Sequence, residues 1–496
     1  EQGAAHAADG YARASGKTGV VFATSGPGAT NLVTGIANAY LDSVPLVAIT
    51  GNVSVPLLGR DSFQEVDIVA ITQPVVKHSF MVRNIDELEH ILNEAFRIAR
   101  TGRHGPVLVD VPKNVQTDTA EYTGALPAPR GAAPAGDAPE RALEAIRGAK
   151  RPCIYAGGGV LASGAETELL MLSERINAPV ALSMMGLTAL PSDCELNLGM
   201  CGMHGKYAAT AASAECDVLI ALGVRFSDRA TGDTDEYRRG RTVIHFDVDS
   251  AEIGKNVESD ISVCGDIKAS LQWLLKELPG ARNDEWLARI DELKAIGSGA
   301  EREDFAPRRI IEAVRRKYPE AVVATDVGQH QMWVMQYCRF SKPGTLLTSG
   351  GLGTMGYGLG AAIGGCIANG KARTVLFTSE GSFGMNLIEL ATAVTYNLPI
   401  TVVILNNGVL GMVRQWQTMF FEKRYSHTTL NRSTDFKALA ESFGAVGFLA
   451  NSAAELEAAL ESVPDGGPSV IDCRIDMDEM VLPMIPAGGT INDIIL

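Results

Sequence analysis

A chain of 496 residues that is 46% hydrophobic and 20% charged is globular, long enough for about two to four domains that each bury a core. Its formal net charge of −15 argues against nucleic acid, which needs a broad basic face, and no run of about 18 apolar residues offers a membrane span. The eight cysteines lack Cys-x-x-Cys spacing and the eight histidines form no ligand pattern, which speaks against zinc and disulfides and for a reducing compartment.

Glu1 lies inside an alanine-rich helical pattern, so the chain is expected to start within a domain, its N-terminal part and any targeting peptide lying upstream. A cytoplasmic location is expected, with plastid or mitochondrion left open for the same reason. Residues 1–118 alternate helical pieces with short apolar strands. The stretch "GVVFATSGPGATNLVTGIANAYLDSVPLVAITG" reads strand, glycine turn, helix, strand, the rhythm of βαβ units. Residues 119–139, including "TGALPAPRGAAPAGDAP", have linker composition. A second α/β block, 140–282, carries strands expected at Cys153–Ala156, Val218–Leu222 and Val243–Asp247. A connector is expected over 283–306. A third block, 307–496, carries strands expected at Val322–Thr325, Val375–Thr378, Ile400–Leu405 and Val470–Cys473. The fold class is therefore α/β: three domains with parallel sheets flanked by helices, whose ligands belong beyond the carboxyl ends of the strands.

Within the third block, Glu380 and Asn407 each follow an expected strand. Neighbouring parallel strands would bring a carboxylate and an amide together to hold a hard cation such as Mg²⁺. Gly381, Ser382 and Gly384 would let the backbone approach phosphates, with a helix expected to start near Asn386. An ordinary βαβ turn with a solvated glutamate is the alternative. "SGGLGTMGYGLGAAIGG" (349–365) is a glycine-rich loop entering a small-residue helix, and "DVGQHQMW" (326–333) ends another strand.

Those pieces, with "EQGAAHAADGYARASG", "GPGATN", "DSFQE", "GMHG", "GVRFSDRATG", "HFDVDSAEIGKN", "GMVRQWQ" and "LPMIPAGG" in order, resemble the acetohydroxyacid synthase (acetolactate synthase) family of thiamine-diphosphate enzymes. The resemblance implies a pyrimidine-binding, an FAD-binding and a diphosphate-binding domain for the three blocks. It implies Glu380, Asn407 and the carbonyl of Val409 as Mg²⁺ ligands, and Val327, Gly328, Gln329 and His330 beside the diphosphate. Gly353, Gly381, Ser382 and Met412 would also touch the cofactor, and Met355 would prop its bent shape. Glu1 would be the acid that activates the aminopyrimidine, a task that suits a carboxyl group in an apolar pocket.

For the substrates, the resemblance implies Arg229 gripping a carboxylate, Trp416 with Met412 as pocket wall, and Phe63 and Gln64 beside the reacting centre. FAD, structural in this family, would be held by Gly157, Gly158, Gly159, Gly223, Arg225 and Asp247. The implied reaction ligates a two-carbon unit from pyruvate to pyruvate or 2-ketobutyrate. The implied assembly is a homodimer or larger homo-oligomer with shared sites and, in some members, a regulatory small subunit. The family reads Gly-Asp where this chain has Ser379-Glu380, and usually Asp at Ser227. The competing readings are another carboligase, decarboxylase or pyruvate oxidase of the superfamily, and a non-catalytic relative with an altered metal loop.

Overall fold

The computed structural model describes residues 1–122, 124, 138–280, 282–296 and 305–496. Most of the expected linker and residues 297–304 of the expected connector lie outside the described residues. Three parallel sheets form, each with helices packed on it. The first contains β1 (Gly19–Ala23), β2 (Leu46–Asn52), β3 (His78–Met81) and β4 (Pro106–Pro112) in the order β1-β2-β4-β3. The second contains β5 (Pro152–Ala156), β6 (Val180–Leu182), β7 (Asn197–Met200), β8 (Val218–Leu222), β9 (Thr242–Asp247) and β10 (Ile261–Cys264), in the order β10-β9-β8-β5-β6-β7. The third contains β11 (Val322–Thr325), β12 (Leu346–Leu347), β13 (Thr374–Thr378), β14 (Ile400–Asn406), β15 (Val446–Ala450) and β16 (Ser469–Arg474), in the order β12-β11-β13-β14-β16-β15. All strands expected in the second and third blocks appear, their ends within one residue. Central strands such as β8, β13 and β14 are buried along their whole length, as continuous apolar runs in a parallel sheet must be.

The chain divides into two compact units. One comprises Glu1–Arg130, Ala321–Gln331 and Leu346–Met477 and holds the first and third sheets. The other comprises Gly131–Glu320, Met332–Thr345 and Asp478–Leu496 and holds the second.

Inside the first unit, sequence composition explains why two sheets make one body. The first helix (Gln2–Ser15) and the helix Tyr357–Ala368 cross backbone against backbone. A Cβ on Gly364 would stand 1.9 Å from the Ala7 carbonyl oxygen, and one on Gly10 would stand 2.3 Å from that of Ala361. A buried polar cluster closes the same junction. Arg13 pairs with Asp9 at 2.6 Å and with Asp42 at 2.8 Å, while the Tyr357 hydroxyl donates to Asp9 at 2.7 Å. Asn38 accepts from the Ser349 hydroxyl at 2.5 Å, and Asp42 accepts from the N–H groups of Gly350 and Gly351 at 3.0 and 2.7 Å. Each buried charge here has a partner, which burial requires. Among the described residues, no helix is long and apolar enough to cross a membrane.

Candidate active site at the strand ends

The third sheet reverses direction between β11 and β13: β12 lies to one side of β11, and β13 and β14 lie to the other. Such a switch point opens a crevice at the carboxyl ends of its strands. Residues 326–330 leave β11 there, Ser379 and Glu380 leave β13, and Asn407 leaves β14. The register pairs Thr325 with Phe377 and Thr378 with Ile404, so the three exits sit side by side.

Glu380 is not a solvated turn residue. It is 4% exposed, and neither carboxylate oxygen has a hydrogen-bond partner in the structure. Burial raises its pKa to about 7, and the nearby Asp472 adds to the rise. The N–H groups of Gly408 and Val409 lie near enough to moderate that shift without reaching hydrogen-bonding geometry. The helix expected near Asn386 instead begins at Glu380 and runs to Asn386. The reason is Ser379, whose hydroxyl caps it by accepting from the Ser382 N–H at 3.4 Å. Ser379 has φ −121° and ψ 165°, ordinary extended backbone, so the serine in place of glycine costs no strain.

Several of the sequence-expected residues meet one another at these strand ends. The Ser382 hydroxyl donates to the Val327 carbonyl at 3.0 Å. A Cβ on Gly381 would lie 3.8 Å from the Met355 methyl, and one on Gly353 the same distance from Val327. Asn407 donates through Nδ2 to Gln329 at 3.2 Å, and its Oδ1 accepts from the Val409 N–H at 3.3 Å. Val409 is buried, held by a bridge to Thr429. His330 is buried, and burial lowers its pKa to about 3, so the ring is neutral at physiological pH; its Nε2 is without a partner. Helix Gly411–Phe420 follows directly and carries Met412 and Trp416, whose ring meets Phe420 edge-on at 5.2 Å.

The structure adds Asp326, which sequence reasoning left out. Its carboxylate accepts from the N–H groups of Gly356 and Gly358 at 2.8 and 3.0 Å and from the Thr378 hydroxyl at 2.8 Å. It thereby clamps the Met355 loop to the ends of β11 and β13. An acid between a strand end and a glycine, as in "TDVG", is the only signal that pointed to it.

Glu1, Phe63 and Gln64 stand apart: among the described residues, no hydrogen bond or ring contact joins them to this cluster. Glu1 is exposed rather than pocketed, and it accepts a hydrogen bond from Asn31 at 3.1 Å. Phe63 is 88% exposed, and Gln64 has φ +59°. Their loop is shaped by Glu65, which accepts from the N–H groups of Gly59, Arg60 and Ser62. Those bonds, that of Ser62 foremost, lower its pKa.

In the second unit the switch point falls between β5 and β8. Gly157, Gly223 and Asp247 sit at or just past the ends of β5, β8 and β9. Gly157 and Gly159 are explained by close packing, because their Cβ atoms would lie 2.3 Å from the Gly223 oxygen and 2.6 Å from its Cα. Gly158 faces the Met185 side chain instead, at 3.3 Å. Asp247 is buried and accepts from the Asp249 N–H at 2.8 Å, while the Arg225 carbonyl accepts from Asn256. Arg229 is exposed, 3.7 Å from Asp228, and its guanidinium reaches the Met203 sulfur at 3.8 Å.

A hard divalent cation takes oxygen ligands, usually one or two from protein and the rest from phosphate and water. A buried carboxylate with both oxygens unpaired, at a strand end next to the one that carries the buried Asn407 amide, offers the kind of donors that such an ion satisfies. Among the described residues, no group of three or more His, Cys, Asp and Glu is arranged for metal binding.

Comparison with known proteins gives a consistent result. The models for the N-terminal TPP binding domain, the central domain and the C-terminal TPP binding domain of thiamine pyrophosphate enzymes match residues 1–71, 139–274 and 326–473. The probable acetolactate synthase large subunit of Methanocaldococcus jannaschii is 43% identical, covering 100% of this chain and 87% of the relative. The acetolactate synthase large subunit of Corynebacterium glutamicum is 43% identical over 100% of this chain and 82% of its own length. The isozyme 2 large subunit of Escherichia coli is 42% identical over 100% and 91%.

Proposed function

The chain belongs to the acetolactate synthase large-subunit family, and from that membership we propose that it decarboxylates pyruvate and joins the two-carbon unit to a second 2-keto acid. The acceptor is pyruvate or 2-ketobutyrate, and the step is the first common one towards valine, leucine and isoleucine. The observation that carries the residue assignment is Glu380, a buried carboxylate with no partner at the switch point of the third sheet.

Thiamine diphosphate supplies the nucleophilic carbon and the electron sink when bound. Glu380, Asn407 and the Val409 carbonyl would hold Mg²⁺ against its diphosphate. Val327, Gly328, Gln329, His330, Gly353, Gly381 and Ser382 would line the diphosphate, and Met355 would wedge the cofactor's two rings. Met412 and Trp416 would shape the acceptor pocket with Phe63 and Gln64, and Arg229 would grip the acceptor carboxylate. Gly158, Arg225 and Asp247 would hold FAD, with Gly157, Gly159 and Gly223 setting the crevice. On this reading residues 1–118, 140–282 and 307–496 are the pyrimidine-, FAD- and diphosphate-binding domains.

Glu1 would hold a proton for the aminopyrimidine. That task needs shelter from water, and one chain leaves Glu1 exposed. A second copy supplies the cover in the proposed homodimer with shared sites. The relatives' designation as large subunits supports a smaller regulatory partner.

The test is direct. The purified chain given pyruvate, Mg²⁺ and thiamine diphosphate should form acetolactate, detected as acetoin after acid treatment. Glu1→Gln should keep its fold and bound cofactors while turnover drops about 10²–10⁴-fold, the range of a lost proton-transfer group. A parent that binds both cofactors yet forms no acetolactate would refute the assignment.

A further inference from the structure

Three buried amides form a directional chain behind the metal site. Asn407, Gln329 and Gln415 are 8%, 4% and 3% exposed. The Val409 N–H points at Asn407 Oδ1 at 3.3 Å. A backbone N–H can only donate, so that contact fixes the oxygen of the Asn407 amide and turns its NH₂ the other way. The NH₂ then donates to Gln329 Oε1 at 3.2 Å, which in turn directs Gln329 Nε2 to Gln415 Oε1 at 2.9 Å. Every link has one polarity. Reversing any one amide would set donor against donor or acceptor against acceptor.

A second observation shows that space is kept for this chain. Gly411 opens the helix that carries Gln415, and a Cβ there would stand 1.9 Å from Gln329 Oε1 and 2.8 Å from Asn407 Nδ2. Any side chain at that position would push the Gln329 amide off Asn407. The backbone of Gly411 has no positive φ, so room for the amide pair is what its missing side chain provides.

We propose that Gln415 is a positioning residue of the metal site: acting through Gln329, it holds Asn407 with its amide oxygen towards the cation. This rests on the assignment of Glu380 and Asn407 as ligands. Gln415 touches neither metal nor substrate, and Gly411 serves the same relay by leaving room for it. Loss of an outer partner that orients a ligand weakens metal binding about 10–100-fold.

The probe is Mn²⁺, titrated against the holoprotein in saturating thiamine diphosphate and followed by loss of the free-ion EPR signal. Gln415→Met keeps the volume and removes the acceptor, and it should weaken Mn²⁺ binding about tenfold or more. Gly411→Ala, which leaves every polar group in place, should weaken it to a similar degree. Gln415→Glu keeps the acceptor for Gln329 and should stay within about threefold of the parent, a rescue that general damage to the helix would not allow. Unfolding curves and retained flavin verify that each variant is folded. If Glu380→Ala abolishes Mn²⁺ binding while Gln415→Met and Gly411→Ala bind as the parent does, the relay is wrong and the site stands. If Glu380→Ala itself binds Mn²⁺ like the parent, the site assignment fails first.

Discussion

The third sheet of the first unit and the sheet of the second unit each open a crevice where strand order reverses, yet the two crevices are built from different material. Between β11 and β13 the walls are buried polar side chains. Asp326 is saturated by two N–H groups and a hydroxyl, whereas Glu380, on the neighbouring strand end, has no partner at all. Between β5 and β8 the walls are backbone, with Gly157 and Gly159 pressed on Gly223. Both carboxylates of the first crevice have pKa values raised by burial, so burial alone does not separate their tasks. Hydrogen-bond satisfaction does. Asp326 is taken up in holding loops together, whereas both oxygens of Glu380 stay buried without a hydrogen bond. At the second crevice the buried carboxylate, Asp247, is held by the Asp249 N–H at 2.8 Å.

The largest break in this comparison should come from Glu380→Ala. Removing the unpartnered carboxylate should weaken Mg²⁺ and thiamine diphosphate together, by more than the about 10–100-fold typical of losing an outer partner, and leave FAD in place. Activation curves for both ligands, with flavin absorbance, measure it. Gly157→Ala should do the opposite. Its new methyl meets the Gly223 carbonyl and the Val224 side chain, so the second unit should lose about 1–3 kcal/mol in denaturant unfolding and release flavin. Its Mn²⁺ affinity should match the parent. The smallest effect belongs to Ser379→Gly. Glycine replaces serine at a helix cap at a cost of about 0.3 kcal/mol, and no strain is there to relieve, so metal affinity should move less than about twofold.

Much of the molecule was legible in the chain. Apolar runs such as "VVAT" and "VLIAL" are buried strands because a parallel sheet covered on both faces admits nothing else. That β13 and β14, which lead to Glu380 and Asn407, lie side by side could be expected from sequence, because consecutive parallel strands of such a sheet end on one edge. The two-residue β12 and three-residue β6 show no period, being too short to carry one. The Ser379 cap was missed because serine after a strand reads as a turn until a following N–H is seen to reach it.

What the sequence determined by itself is the family, the parallel α/β architecture and the residue types gathered at the strand ends. These follow from local patterns: strand runs, glycine turns and the order of short motifs along one chain. Only the tertiary structure decided which groups are satisfied and which are left open. Asp326 meets Gly356, Gly358 and Thr378, and Gln415 meets Gln329 across 86 positions. It also showed that some glycines serve packing and that one chain leaves Glu1 exposed. Hydrogen-bond satisfaction and close backbone approach are properties of pairs distant in the chain, and no local pattern encodes them.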